Sequence, residues 1–496
     1  MKINSHILDL IHYGIDKNMI QNEDIDYVYN RLTNILNVQQ SMDNKTVNNN
    51  VKQVSIILAH ILDYAYNKDL FTPNSVKQRD LFESLLMDVF SPLPSDLNKT
   101  FYRYYDDSPK KATDYFYKLS QDNNYIKLDR IAKNFIWKSM TKYGNFDMTI
   151  NLSKPEKDPR DIISDLSQNE TEYPQCLLCK ENVGFYGNSN RPGRSNHRVI
   201  KLDINNEEFY LQYSPYVYYN EHSIVLMKDH TPMNVTENTF KRLFDFIDLF
   251  PHYFLGSNAG LPIVGGSILS HEHYQGGSHH FAIEDAEEVF IDKVNEVSLK
   301  YLIWPLSVIR LESTNKINLI KTATKLFNFW KNYSDKSASI VSHTVVPHNA
   351  ITPIARKNGD VYTLDMTLRN NLTTEELPLG IFHPHPIHHN IKKENIGLIE
   401  VMGLAVLPAR LEHELKQVKK ALINNALLPS GYAIHTVWLN ELKELYKGEE
   451  IDEFINDQVA DKFMRCLEDS GVFKQTPAGI KNFNRFNTLF IDVLNK

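Results

Sequence analysis

Residues 265–277, GGSILSHEHYQGG, set His271, His273 and Gln275 at alternating positions between two glycine pairs. In an extended strand, residues two apart share a face, so these three side chains can serve one site. A neutral imidazole is a competent nucleophile near pH 7, because its unperturbed pKa is about 6.5. Its attack on phosphorus gives a covalent phospho-histidine type of intermediate. Gln275 hydrogen-bonds a phosphate oxygen but neither gives nor takes a proton, so the group suits transfer better than hydrolysis. Gly265, Gly266, Gly276 and Gly277 let backbone approach a ligand closely. Asn258 and Ser267 offer hydrogen bonds to a phosphate or a base, although both residue types are also ordinary turn formers.

A second constellation is Cys176-Leu-Leu-Cys179. Two thiolates at this spacing can grip one metal ion from a tight turn, and zinc takes four ligands in a tetrahedron. The third cysteine, Cys466, falls in the helical stretch FMRCLEDSG and is expected to be a small buried apolar residue. The missing ligands must then be histidines. SIVLMKDH ends a strand at His230, and His271 stands in the glycine-flanked run. This predicts one Cys2His2 zinc site from Cys176, Cys179, His230 and His271. The alternative is a thiol pair that simply packs, with His230 at a strand end. With a metal on His271, His273 stands beside it, positioned but unligated.

To be brought together these residues need a β-framework, and the chain offers one after a helical start. INSHILDLIHYGI, IDYVYNRLTNILNV, VSIILAHILDYAY and NSVKQRDLFESLLMDVF carry apolar residues at helical spacing, and SPLPSD stops the last of them with two prolines. FDMTINLSKPEKDPRD reads as a strand followed by a Pro- and charge-rich loop. From about 171 short β-rich runs appear: NHRVIKLDI, EEFYLQYSPYVYY, HSIVLMKDH and GSILSHEHYQ. One helix, TENTFKRLFDFIDLFPHYF with Thr236 as N-cap, separates them. A second series follows: YLIWPLSVIRLES as a strand, NKINLIKTATKLFNFWKNY as a helix, and a hairpin across Asn358-Gly359. The order strand, helix, glycine-marked hairpin strand thus occurs twice. From about 392 the pattern returns to strand and then helix. The expected architecture is α+β in three regions: a mainly helical 1–170 with a strand and loop near 146–160, a first strand-rich repeat over 171–290, and a second repeat plus helices over 291–496.

Bulk properties narrow the partners. A chain of 496 residues exceeds one small core, and 42% hydrophobic with 23% charged residues describes an ordinary folded, soluble protein. A net charge of −7 offers no general attraction to a polyanion, so nucleic acid is not expected and any phosphate site must be locally basic. No stretch reaches the roughly 20 apolar residues that span a bilayer. The N-terminal stretch carries His, Asp and Lys through its apolar run, which reads as an amphipathic helix rather than a signal peptide. Three cysteines fit a reducing, cytoplasmic setting.

The motifs together resemble those of the galactose-1-phosphate (hexose-1-phosphate) uridylyltransferases, most nearly the second, Gram-positive-type class, within the histidine-triad superfamily. The His-x-His-x-Gln motif stands here as His271-Glu272-His273-Tyr274-Gln275, with Glu272 where the first class has proline. C-x-x-C-x-x-N-x4-G-x2-N stands as Cys176, Cys179, Asn182, Gly187 and Asn190, and a strand ends in Asp229-His230. YPQCLLC, QYSPYVYYNEH, LPIVGGSILSHEH and INLSKPEKDP extend the likeness over most of the chain. The resemblance implies two histidine-triad-like antiparallel half-barrels flanked by helices, with zinc on His271, the nucleophile at His273 and the uridylyl phosphate on Gln275. It also implies basic residues for the hexose phosphate, here Lys154, Lys157 and Arg160, unless these form a solvated charged loop. The expected substrates are UDP-glucose, UDP-galactose and hexose 1-phosphates, and the expected assembly is a homodimer. In the first class a His-x-His pair on the equivalent hairpin strand joins a second metal. Asp365 and Thr367 would stand there in this chain, which puts a second metal in doubt, and His383, His385, His388 and His389 follow a loop with no assigned role.

Two rival readings remain at this level. A dinucleoside tetraphosphate phosphorylase or hydrolase of the same superfamily would share the histidine and glutamine-type motif without needing the cysteine pair. A zinc-stabilised binding module would keep the metal and form no covalent adduct with a nucleotide sugar.

Overall fold

The computed structural model describes residues 3–39, 53–152, 173–188, 191–266 and 268–495. Its centre is a ten-stranded sheet of order β3-β4-β5-β7-β6-β11-β12-β10-β9-β8. The first half holds β3 (Ile200–Ile204), β4 (Glu207–Tyr213), β5 (Ser223–Met227), β6 (Phe254–Gly256) and β7 (His273–Gly277). The second half holds β8 (Glu288–Val294), β9 (Val297–Leu302), β10 (Val308–Ser313), β11 (Asn349–Asn358) and β12 (Val361–Asn370). Read inward from either edge, the strands of each half follow the same order: first, second, third, fifth, fourth. All pairings in this sheet are antiparallel, and the halves join where Ile354 and Ala355 of β11 face Gly256 and Leu255 of β6.

In each half one helix connects the third strand to the fourth: Glu237–Leu249 in the first and Lys316–Lys331 in the second. Thr236 is the N-cap of the former, its N–H donating to Thr239 Oγ1 at 3.0 Å, and Asn315 caps the latter by accepting from Asn318 N at 3.1 Å. Phe240, Leu243 and Ile247 of one helix and Leu319, Ala323 and Leu326 of the other share a core with Leu211, Val225, Tyr274, Leu255, Ala355, Leu364 and Ile309 of the sheet. Strand alternation therefore sends the neighbours of those residues, among them His273, Gln275 and Asp365, to the opposite face. One face of the sheet is spent on the core and the other is free for chemistry.

A second sheet packs β2 (Gly144–Ile150) between β1 (Phe135–Thr141), antiparallel, and β13 (Leu404–Leu407), parallel. Phe146, Met148, Leu404 and Leu407 bury against Trp304 and Phe463 in a second core. The four N-terminal helices predicted from periodicity form a third, around Leu10, Leu32, Ile61 and Leu86.

The structure also corrects local readings. The prolines of SPLPSD end one helix but also begin another: Pro94 stands at the start of Pro94–Tyr105, where its missing N–H costs nothing. A further helix, Pro109–Asp122, adds to the four named segments of the mainly helical 1–170. YLIWPLSVIRLES is not one strand. It is the end of β9 and all of β10, broken at the residues around Pro305. The 349–370 hairpin forms, but its two central residues are Gly359 and Asp360, one position later than expected. The positive φ of Gly359, 57°, at the first central position matches the glycine-first hairpin turn.

Candidate active site and metal centre

Cys176 and Cys179 lie on a turn ahead of β3. Asn182 fixes that turn, its Nδ2 donating to the carbonyls of Cys176 and Cys179 at 2.8 and 2.7 Å. Gly187 has φ +98°, and a Cβ there would meet Leu81 Cδ2 at 2.3 Å, so the motif glycine is required twice over. Its companion Asn190 lies outside the described residues. Three residues past β5, His230 turns towards the cysteines, and His271 enters from the loop before β7.

The four side chains converge. Cys176 Sγ lies 3.4 Å from Cys179 Sγ and 3.3 Å from His271 Nδ1, and Cys179 Sγ lies 3.2 Å from His230 Nδ1 and 3.7 Å from His271 Nδ1. Ligands on a tetrahedral zinc would stand about 3.3–3.8 Å apart, given metal bonds of about 2.0–2.3 Å. The donor set and its spacing therefore fit a metal ion. His271 also donates from Nε2 to the Met227 carbonyl at 2.8 Å, which leaves Nδ1 as the ligand atom and holds the ring in place. Burial raises the Cys179 thiol to about 12, helped by its hydrogen bond with Cys176. At Cys176 burial also acts upwards, but the His271 contact brings the thiol below its ordinary value. A cation would stabilise both thiolates. Among the described residues this is the only group of three or more His, Cys, Asp or Glu ligand atoms lying within 4.8 Å of one another.

β7 begins at His273, so the alternation argument covers His273 and Gln275 but not His271, which reaches the cysteines from irregular backbone. His273 is 6% exposed and donates from Nδ1 to the His271 carbonyl at 2.7 Å. That bond fixes the tautomer, leaving the Nε2 lone pair without a partner among the described residues. Burial pulls its pKa down to about 4, which leaves the ring neutral at pH 7 with its Nε2 lone pair unprotonated. Glu272 points to the other face, where its Oε1 accepts from Tyr274 Oη at 2.6 Å and from Arg242 Nη1 at 3.4 Å. A proline at that position would make neither contact.

The glycine loop between β6 and β7, residues 257–272, is tightly packed on itself. A Cβ at Gly265 would sit 2.3 Å from the Ala259 carbonyl, and one at Gly266 would sit 2.8 Å from Asn258 Nδ2. Asn258 is buried and anchored, its Oδ1 accepting from Leu398 N at 2.9 Å, which leaves Nδ2 towards Gly266. Ser267 and the basic trio Lys154, Lys157 and Arg160 lie outside the described residues.

Family models decide the kinship. Residues 18–232 match "Galactose-1-phosphate uridyl transferase, N-terminal domain" and residues 245–440 the C-terminal domain of the same name. The chain belongs to the galactose-1-phosphate uridyl transferase family. It is similar to the galactose-1-phosphate uridylyltransferase of Clostridium acetobutylicum, 48% identical over 98% of this chain and 99% of that one. The enzymes of that name from Clostridium perfringens and Bacillus subtilis are each 45% identical, over 98% of this chain and 98% and 97% of theirs. A yeast Ap4A phosphorylase structure aligns at 12% identity with TM-score 0.34, over 66% of this chain and 92% of that one, a likeness too distant to decide anything.

In this member of the family the second half of the sheet carries no histidine pair facing the site. Asp365 is wholly buried in an ion cluster with Arg310, at 2.7 and 2.9 Å, and with Arg356. His383, His385, His388 and His389 cluster on the loop after β12 and turn elsewhere. His385 and His388 lie 3.3 and 3.7 Å from the Asp469 carboxylate, His389 donates to the Pro384 carbonyl at 2.9 Å, and His383 meets Asn395 at 3.2 Å. Among the described residues they join no metal-competent set. One residue stands in two of the quoted stretches without a role from the sequence: His222, at the entrance to β5, beside Gln275. Only the two-residue spacing His222, Ile224, Leu226 could have put it on the site face.

Proposed function

We propose that the chain is a nucleotidyltransferase that moves UMP between UDP-glucose and galactose 1-phosphate, giving glucose 1-phosphate and UDP-galactose in galactose catabolism. The observation that carries the reading is His273, a buried neutral imidazole with one nitrogen tied to backbone and the other without a partner among the described residues. In the first step Nε2 attacks the α-phosphorus of UDP-glucose. A phosphorus–nitrogen bond forms, the phosphoanhydride bond breaks, and glucose 1-phosphate leaves with the electron pair. In the second step a phosphate oxygen of galactose 1-phosphate attacks the same phosphorus and His273 departs. Both leaving groups are stabilised, so no strong general acid is needed, and the amide of Gln275 serves as a hydrogen-bond donor to the phosphoryl oxygens.

Asn258, Gly265, Gly266 and Ser267 would line the phosphate, and Lys154, Lys157 and Arg160 would meet the hexose phosphate. Cys176, Cys179, His230 and His271 would hold one zinc, a structural ion that secures the backbone from which His273 projects. The nucleophile and metal would thus both belong to region 171–290, while 1–170 supplies the basic loop and 291–496 the second repeat. We further infer a cytoplasmic homodimer. No helix among the described residues is long and apolar enough to cross a membrane.

Mass spectrometry of the protein mixed with UDP-glucose alone tests this directly. One uridylyl group on His273 is expected, with ping-pong kinetics once galactose 1-phosphate is added. An unmodified protein, or kinetics requiring both substrates bound together, would count against it.

A further inference from the structure

Gln275 must present its amide N–H2 to the phosphate, yet an unrestrained amide turns over readily. Its Oε1 is buried and forms no hydrogen bond among the described residues. An orphaned buried acceptor is costly, on the order of 1–3 kcal/mol, so what faces it matters. The ring diagonal to it on the same face of the sheet is His222. That residue is 3% exposed, and both of its ring nitrogens are buried without a hydrogen bond of proper geometry. Burial pulls the ring down to about 3, and the Gln275 side chain acts upwards on it. That direction is the one expected when an imidazole N–H points at an amide oxygen.

The backbone explains the meeting. Gln275 pairs with Ile224, so His222, two residues before Ile224 and one ahead of β5, falls on the same face, diagonal to Gln275. Its direct neighbour on β7 would be Gly277, which has no side chain to stand between them. The ring is held by the rings of Tyr218 and Tyr219, with centroids 5.3 and 4.6 Å away, and its backbone is pinned by Tyr219 O and Ser214 N at 3.2 and 2.8 Å. A rigid, neutral imidazole is thus aimed at the sealed end of the glutamine.

We propose that His222 is a positioning residue for transfer: its ring N–H holds Gln275 Oε1, so that Nε2 of the amide is always the end offered to the phosphoryl group. This rests on the transfer reading above. His222 does not touch substrate; it acts through Gln275. The pair closes from near-contact to a true hydrogen bond as the amide swings onto a bound phosphate.

The test compares His222→Phe, which keeps the ring packing but cannot donate, with His222→Asn, which can, in wild-type and Gln275→Ala backgrounds. The Phe variant should slow uridylyl-adduct formation from UDP-glucose about 10- to 100-fold with KM within about twofold, and Asn should recover part of the loss. On Gln275→Ala the Phe change should cost less than about twofold, since its only partner is gone. Equal losses in both backgrounds would overturn the proposal. An independent reading needs no change at His222: Gln275→Ala should shift the His222 ring N–H resonance in histidine-labelled protein, and an unmoved resonance would likewise overturn it. If wild-type protein forms no uridylyl adduct at all, the transfer reading fails instead.

Discussion

The same two strands are built very differently in the two halves of the central sheet. In the second half, β11 and β12 are ten residues each, paired along their whole length and joined by a two-residue turn. In the first half, β6 and β7 have three and five residues, and the chain between them, 257–272, leaves the sheet as a glycine-rich loop. Ladder hydrogen bonds are given up where the site is built and kept where it is not. The polar residues follow the same division. Asp365 on β12 is locked between two guanidinium groups, whereas His273 Nε2 on β7 has no partner among the described residues. Satisfied polar groups stabilise; unsatisfied ones at a fixed place are available for a ligand.

The largest expected effect breaks the reactive half. His273→Gly should remove the uridylyl adduct and lower transfer roughly 10⁶-fold, the scale seen when a nucleophile is deleted. The fold and the metal content should be unchanged, because His271, not His273, faces the cysteines. An adduct that persists in this variant would rule out His273 as its carrier.

Next in size is the metal. Wild-type protein should carry about one tightly held zinc per chain, and Cys176→Ser should hold far less. A structural zinc contributes on the order of 10 kcal/mol in small zinc-dependent folds, so the variant should melt at a clearly lower temperature. Metal analysis by mass spectrometry and a melting curve check both. Full zinc content in Cys176→Ser would mean that the four residues do not form the site. If the ion is structural, activity should be partly kept when the folded fraction is accounted for.

How much of this was legible in the sequence depended on whether the signal was local. CxxC, Asp-His and His-x-His-x-Gln are short, and each keeps its chemistry in a few adjacent residues. The amphipathic N-terminal helices announce themselves by spacing. β8 went unseen because EDAEEVFIDKV carries acidic residues through an edge strand that is half exposed. The Asp365 cluster could not be read either: Arg310, Arg356 and Asp365 stand on three strands, and only the register brings them together. His222 faces Gln275 across a pairing some fifty residues distant in sequence; it ends QYSPYVYYNEH, but nothing local in that run gives it a role. Local chemistry was readable; cross-strand chemistry waits for the ladder.

A third prediction turns to the half that is all structure. Asp365→Asn leaves Arg310 and Arg356 without their shared counter-charge and should destabilise the protein by about 3–5 kcal/mol, with little change in kcat of the folded enzyme. Burial acts to raise the Asp365 carboxyl, but Arg356 and Arg310 hold it below its ordinary value. A carboxylate with a depressed folded pKa contributes stability above its unfolded pKa of about 3.9, and that contribution fades as pH falls through the lower, folded value. Denaturant midpoints should therefore converge for wild type and variant below about pH 4 and separate above it. A constant gap across that range would mean the charge is not what Asp365 contributes.

The smallest effects come from one alanine in each connection, and they should differ in kind. At Gly359 a Cβ meets nothing within 4 Å, and the strain is only that of φ at +57°. Gly359→Ala should cost about 1–2 kcal/mol of stability and leave transfer untouched. Gly265 carries no unusual φ, but a Cβ there would lie 2.3 Å from the Ala259 carbonyl and 2.6 Å from that of Leu261, both backbone atoms that cannot swing aside. The loop itself must then move, carrying Gly266 away from Asn258, and, with the loop lining the phosphate as proposed, a shift near 1 Å would cost up to about 100-fold in rate. Gly265→Ala should accordingly lower kcat/KM by about 10- to 100-fold while its melting temperature changes little, because the loop carries few ladder bonds to lose. Steady-state kinetics beside a melting curve for the two variants would show the split. If Gly265→Ala lost stability and kept its rate, the loop would be a structural strap, and the division of labour between the two halves would fail.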